Sequence, residues 1–340
     1  MSWNPPDDWM RITTIDAHAE GEPLRIITGG LPPIPGDTIL ERRRYLIQNL
    51  DHLRTALMWE PRGHADMYGA ILTEPVTQEA DAGLLFMHNE GYSTMCGHGI
   101  IGLVTAALET GMLPVRGSQT TIKLDTPAGL VTAHAKVQDG RVLGVAFENV
   151  PSFVYALDQT VEVPGIGPVR YDVAFGGAFY AYCQAADLGV GLGPSEFRRL
   201  IEVGTAVKRA VMESLPIRHP FEEDLSFLYG TIIVGGPETD GAQSRNVCIF
   251  AEGEVDRCPT GTGVSGRLAL NFARGGLAAS EPFVVESIIG SRFTGRILGT
   301  TTFGGYEAVI PEIEGSAHIV GRHEFLIDPD DPLRHGFILR

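Results

Sequence analysis

Two stretches far apart in the chain, Phe86 to Leu113 and Phe250 to Leu277, repeat one another at constant spacing. Each begins beside an apolar run, Leu84-Leu85-Phe86-Met87 or Val247-Cys248-Ile249-Phe250, and each has a glutamate at the same offset, Glu90 and Glu254. The heptapeptides Cys96-Gly97-His98-Gly99-Ile100-Ile101-Gly102 and Thr260-Gly261-Thr262-Gly263-Val264-Ser265-Gly266 then align, and helical pattern follows to Gly111-Met112-Leu113 and Gly275-Gly276-Leu277. A register kept over that length predicts a duplicated unit and a pseudo-two-fold molecule. With the units face to face, one thiol and one hydroxyl enter a common pocket between two helix N-termini. Such a pocket suits a small carboxylate whose two faces are treated differently.

The chain's 340 residues can bury a sizeable core and suggest two domains, in step with the repeat. Its 42 glycines favour tight turns and short strands over long helices. A formal charge of −16 argues against nucleic acid or an anionic membrane as partner. No run reaches the length of a membrane span, and the first residues lack the basic and apolar regions of a secretory signal. Cys96, Cys183, Cys248 and Cys258 do not form a disulfide framework in a chain this long. The expectation is a cytoplasmic protein with reduced thiols.

Along the first half the pattern predicts a strand at Ile12 to Asp16 and an amphipathic helix from an Asp37 or Thr38 cap to about Leu57. Strands follow near Tyr68 to Leu72 and Leu84 to Met87. The segment Ile100 to Met112 is apolar nearly all round and therefore reads as a buried helix. Alternation then marks strands at Thr121 to Leu124, Gly129 to Lys136 and Val142 to Glu148. The less periodic stretch from Val150 to Pro168 reads as a linker. Beyond it the plan recurs: a strand around Phe175 to Tyr180, a helix from Pro194 to Glu213, and strands at Tyr229 to Val234 and Val247 to Phe250. Further strands are expected at Phe283 to Ile288, Thr294 to Gly299 and His318 to Val320. The expected division is 1–155 carrying Cys96, 156–325 carrying Thr260, and a tail, 326–340, packing back on the first half.

Three chemistries compete for the heptapeptides. Both contain Gly-x-Gly-x-x-Gly, but nine or so residues separate the glycines from the preceding strand, where a dinucleotide site needs direct succession. Cys96, His98 and Cys258 could ligate a metal, yet no paired-ligand spacing accompanies them. Neither a cofactor nor a metal is expected. A cysteine directly before a helix meets the positive end of the helix dipole and unpaired N–H groups, which lower its pKa from about 8.5 and predict a thiolate. The glycine and histidine flanks of Cys96 fit a packed inert core cysteine poorly. Thr260 reads as a helix N-cap that also meets the ligand. Asp256 is expected to pair with Arg257 or a loop amide, and Cys258 to pack beside the pocket.

Met95-Cys-Gly-His98 together with Asp256-Arg-Cys-Pro-Thr-Gly-Thr-Gly263 resembles the proline racemase family, which has the diaminopimelate-epimerase-like fold. Supporting matches run nearly the length of the chain: Ile15-Asp-Ala-His18 with Gly21-Glu-Pro23, Gly36-Asp-Thr38, Glu60-Pro-Arg-Gly-His64, Gly176-Gly-Ala-Phe-Tyr180 and His219-Pro220. The resemblance implies an α/β (α+β) fold of two pseudo-symmetric halves, each a curved, mostly antiparallel sheet around a central helix. It also implies a small imino acid as substrate. In racemases of this family two cysteines face each other across the substrate Cα. Cys96 holds the first position, and Thr260 stands in the second. This pair looks like the family branch that dehydrates trans-3-hydroxy-L-proline to Δ1-pyrroline-2-carboxylate, with Cys96 as the single base. By the same resemblance Gly97, His98, Gly261 and Thr262 hold the substrate carboxylate and Asp256 the ring nitrogen. The rival expectations are a proline racemase or 4-hydroxyproline 2-epimerase, with Cys258 or water as second base, and a non-catalytic imino-acid-binding protein. The one protein partner expected is a second copy of the chain, in a homodimer.

Overall fold

The computed structural model describes residues 3–339. Eight strands build a first array: β1 (Met10–Ala19), β2 (Glu22–Gly29), β3 (Gly69–Thr73), β4 (Ala82–Met87), β5 (Gln119–Thr126), β6 (Gly129–Gln138), β7 (Arg141–Glu148) and β8 (Ser152–Val163). The second array repeats it: β9 (Gly167–Phe175), β10 (Phe179–Gln184), β11 (Leu228–Gly235), β12 (Ser244–Phe250), the short β13 (Glu254–Val255), β14 (Phe283–Glu286), β15 (Arg292–Phe303), β16 (Tyr306–Gly315) and β17 (Ala317–Ile327). Helices α1 (Ile39–Tyr45), α2 (Asp51–Met58) and α3 (Gly97–Glu109) belong to the first, and α4 (Ala185–Leu188), α5 (Phe197–Ser214) and α6 (Gly261–Ala273) to the second.

The two arrays share one wiring. In the first, β2 runs parallel to β3 and β4 to β5; in the second, β10 runs parallel to β11 and β12 to β14. The other pairings, among them β5–β6, β6–β7, β14–β15 and β15–β16, are antiparallel. The last strand of each array pairs with the first strand of the other, β8 with β9 and β17 with β1, which closes the strands into one ring. Where β7 meets β16, Glu148 lies opposite Glu312, and these two stand at the same sequence separation as Cys96 and Thr260. The pseudo-two-fold axis therefore passes through that pair.

Each array wraps a helix that is buried nearly all round. Helix α3 packs on β1, β7 and β17, and α6 on the equivalent β9, β16 and β8. Ile100, Ile101, Leu103 and Val104 of α3, like Val264 and Leu268 of α6, are fully buried, as an all-round apolar helix requires. A smaller core forms beneath α1 and α2, with Leu53, Leu57 and Met58 packed near Ile71 and Leu85. No helix among the described residues is long and apolar enough to cross a membrane.

Four local expectations change. The amphipathic helix begins at the Thr38 capping box with Glu41, as read, but a π-helical turn at Leu46–Leu50 divides it. There the Asn49 amide donates to the Tyr45 carbonyl at 3.1 Å, taking a place in the backbone ladder. The stretch from Val150 to Pro168 is no linker: it forms β8 and the turn into β9, and residue 155 falls inside a strand. Phe153, Val161 and Val163 are buried, while Gly165 and Gly167, at φ +78° and +101°, make the turn that sequence alone reads as flexible. The strand expected through Phe175 to Tyr180 breaks at Gly176-Gly177, and β16 lies in a stretch where no strand was expected. At the C-terminal end Phe337 bridges Glu60.

Candidate active site

The repeat places the N-termini of α3 and α6 tip to tip. A Cβ built on Gly97 would stand 2.7 Å from Gly261 Cα, and one on Gly261 would stand 2.8 Å from Gly97 Cα. Only glycine at both positions allows the two helix starts to touch. Cys96 and Thr260 flank this contact, each 5 % exposed. With Gly97, His98, Asp256, Gly261 and Thr262 they line one narrow cavity. The seven residues singled out from sequence therefore converge at one place.

The two caps are built differently. Cys96 is extended, at φ −147° and ψ 112°, and its Sγ accepts the Gly99 N–H at 3.2 Å, so the sulfur itself caps α3. The nearer ring nitrogen of His98 lies 3.2 Å from the same sulfur. Thr260 was expected to cap α6 with its hydroxyl, and it does not. Its backbone sits at φ +67°, unusual for a β-branched residue, and its hydroxyl donates instead to Asp256 Oδ2 at 2.7 Å. The other Asp256 oxygen accepts the Cys258 N–H at 3.0 Å, so this carboxyl pairs with a loop amide and not with Arg257. Arg257 crosses to the first half: its guanidinium meets Asp66 at 2.8 Å and its N–H donates to Glu22 Oε2 at 2.6 Å.

Electrostatics correct the sequence reading of Cys96. The dipole argument predicts a depressed thiol, but burial pushes it well above its ordinary value. The Tyr68 hydroxyl and the Gly99 N–H pull it down, and Asp256 and Glu22 push it further up. Burial wins because the whole side chain is shut away from water, whereas the helix end offers the sulfur a single N–H. Burial likewise lowers His98 to about 4, against the pull of Asp256 and of the bond to the Pro23 carbonyl, so its ring is neutral near pH 7. Burial and Asp256 push the Glu22 carboxyl well up.

His98, Asp256 and Cys258 offer ligand atoms within 4.8 Å of one another. Both Asp256 oxygens are already hydrogen-bonded there, and the Cys258 sulfur accepts the Thr260 N–H at 3.4 Å. A metal would have to break this set. Cys258 packs beside the cavity, while Cys248 lines it. Tyr68, Tyr180 and Tyr229 complete the walls, and sequence reasoning assigned none of them a role. Tyr180 Oη meets Thr262 Oγ1 at 2.7 Å, and Tyr229 stacks on Phe250 at 5.3 Å. Only Tyr180 had a signal in sequence, the Gly176 to Tyr180 match; Tyr68 and Tyr229 reach the cavity through sheet pairing alone.

A family model described as proline racemase matches residues 14–338. The trans-3-hydroxy-L-proline dehydratase of Colwellia psychrerythraea is 47 % identical over 341 residues, covering 99 % of this chain and 96 % of the relative. The 3-hydroxyproline 2-epimerase of Burkholderia multivorans is 48 % identical over 330 residues, covering 97 % and 98 %. Among solved structures, a hydroxyproline epimerase from Agrobacterium vitis with bound trans-4-hydroxy-L-proline superposes with a TM-score of 0.93 at 35 % identity, covering 98 % and 96 %. With the repeat, the paired helix starts and the full-length matches agreeing, the chain belongs to the proline racemase family.

Proposed function

We propose that this protein dehydrates trans-3-hydroxy-L-proline to Δ1-pyrroline-2-carboxylate, with Cys96 as the single base at Cα. The observation that carries the reading is the pairing of one thiol with one hydroxyl at mirrored helix starts. Racemisation calls for a proton donor and acceptor on each face of Cα, and the only hydroxyl proton of Thr260 is held by Asp256. Elimination needs a base on one face only. The relatives named as trans-3-hydroxy-L-proline dehydratases support the same choice.

In this reading the substrate carboxylate rests on the N–H groups of Gly97-His98 and Gly261-Thr262, where two helix dipoles stabilise the charge that grows as the proton leaves. Asp256 holds the ring ammonium. That positive charge, brought into a buried cavity, offsets the burial that otherwise keeps Cys96 protonated. Cys96 takes the Cα hydrogen, the C3 hydroxyl departs, and the resulting enamine tautomerises to the ring imine.

A second reading, 2-epimerisation, is favoured by Cys248, whose thiol lines the cavity together with Thr260. The discriminating experiment is a product assay. Purified protein is incubated with trans-3-hydroxy-L-proline, the mixture is reduced with borohydride, and the imino acids are separated on a chiral column. Dehydration yields proline after reduction; epimerisation yields cis-3-hydroxy-D-proline. Accumulation of the latter without proline would sink the dehydratase reading, and turnover of neither would leave a binding protein.

A further inference from the structure

The stereochemistry of the proposed substrate says where the missing proton donor must stand. In trans-3-hydroxy-L-proline the hydroxyl and the carboxylate lie on opposite faces of the ring, so the Cα hydrogen and the C3 hydroxyl share a face. A base that takes this hydrogen stands on the face from which hydroxide leaves. The donor therefore lies on the Cys96 side of the cavity, away from Thr260 and Asp256. Glu22 does not line the cavity, and one of its carboxyl oxygens is tied to the Arg257 N–H.

Two side chains of the first half with exchangeable protons line the cavity beside Cys96. His98 has a neutral ring with a single N–H, which the Pro23 carbonyl draws, and its two nitrogens lie 3.2 and 3.6 Å from Sγ. The other is Tyr68. Its ring meets the His98 ring edge-on at 4.6 Å, its side chain lines the cavity, and its hydroxyl hydrogen-bonds Ser93 Oγ and lies 3.5 Å from Tyr229 Oη. Tyr68 and Cys96 line the same narrow cavity. Either oxygen of the Tyr68–Ser93 pair can be the donor, and when Ser93 donates the phenolic proton is free to point into the cavity.

We propose that Tyr68 is the acid that protonates the departing C3 hydroxyl, an assignment that rests on the dehydratase reading. The Cys96 thiolate takes the Cα hydrogen and the C–H electron pair becomes the C2=C3 bond. The C3–O bond breaks as the Tyr68 O–H proton passes to that oxygen, which leaves as water. The Tyr68 phenolate then recovers a proton from the Cys96 thiol beside it, and both groups return to their starting forms. One face of the ring thus carries the base, the acid and the path that resets them.

The test is rescue by the leaving group. Fluoride departs without a proton, so Tyr68→Phe should lose dehydration of trans-3-hydroxy-L-proline by about 10²–10⁴-fold yet release fluoride from trans-3-fluoro-L-proline within about tenfold of wild type. Equal losses on both substrates would show that Tyr68 acts only through Cys96 or the fold, and near-normal dehydration by the variant would remove it from the reaction; either overturns the assignment. A wild-type measurement guards against a variant that does not fold. cis-3-Hydroxy-L-proline carries its hydroxyl on the far face and should exchange its Cα hydrogen in D2O without losing water, whereas dehydration at a rate near that of the trans isomer would place the acid on the far face. Failure of wild type to dehydrate the trans isomer at all would count against the function itself and not against the choice of donor.

Discussion

The start of α3 and the start of α6 occupy the same place in two copies of one unit, yet they point their side chains at different partners. Cys96 turns back to its own helix and takes the Gly99 N–H; Thr260 turns away from its helix and gives its proton to Asp256. The position equivalent to Asp256 in the first copy is Tyr92, so the first helix start has no carboxyl to attract its cap. The residue equivalent to Ser93, which holds Tyr68, is Arg257, which reaches across to Asp66. Duplication thus supplied a symmetric cradle of glycines and N–H groups. A few substitutions around it left one side with a thiol that caps its helix and the other with a hydroxyl bonded to a carboxyl group.

The largest effect that tests this contrast is removal of the thiol. Cys96→Ser keeps a cap able to accept the Gly99 N–H, because serine is a favoured N-cap, but loses the acidity of sulfur. Dehydration should fall by about 10²–10⁴-fold with the fold intact, read from initial rates beside a circular dichroism spectrum. A serine variant with half the activity would mean that the two helix starts do not differ in the way described.

Giving the second start a thiol should blur the comparison. Thr260→Cys places a second sulfur opposite the first and replaces the hydroxyl that now donates to Asp256 with a weaker thiol donor. Proline or 4-hydroxyproline should then gain Cα deuterium from D2O in both enantiomers, while dehydration drops by about tenfold, roughly 1.4 kcal/mol of barrier. The idea fails if wild type already interconverts the enantiomers rapidly, since Thr260 would then discriminate nothing.

The smallest effect concerns stability and sharpens the same asymmetry. His88 and His98 are both in the first copy; their equivalents in the second are Glu252 and Thr262. Burial lowers His88 to about 3 and His98 to about 4, from ordinary values near 6.5. Well above pH 6.5 both rings are neutral whether the chain is folded or not, and they add no pH dependence. As the pH falls below 6.5 the unfolded chain takes up protons that the folded chain refuses, so stability falls until the pH nears the folded values. Each ring contributes a slope of up to about 1.4 kcal/mol per pH unit. Denaturant melts between pH 7 and 4.5 should show the decline, reduced in His88→Gln; a flat profile in wild type would contradict the burial of these rings.

Much of this molecule is written in local pattern. The repeat, the all-round apolar Ile100 to Met112 and the Cys-Gly-His-Gly start of α3 are short-range signals, and they were enough to set two buried helices tip to tip with Cys96 and Thr260 beside the contact. The Thr38 cap was equally legible, because a capping box spans only four residues. What the chain alone did not reveal depends on sums over distant neighbours. The stretch from Val150 to Pro168 became a strand and turn because β16, far along the chain, pairs with its Ser152 and Phe153 while β9 pairs with the rest of β8. Tyr68 is an unremarkable residue just before a strand until sheet pairing carries it to the cavity that Cys96 lines. The state of that sulfur shows the division most plainly. Sequence supplies the helix end that favours a thiolate, a local property, while only the closed tertiary structure supplies the burial that opposes it, and burial is set by every element packed around the site.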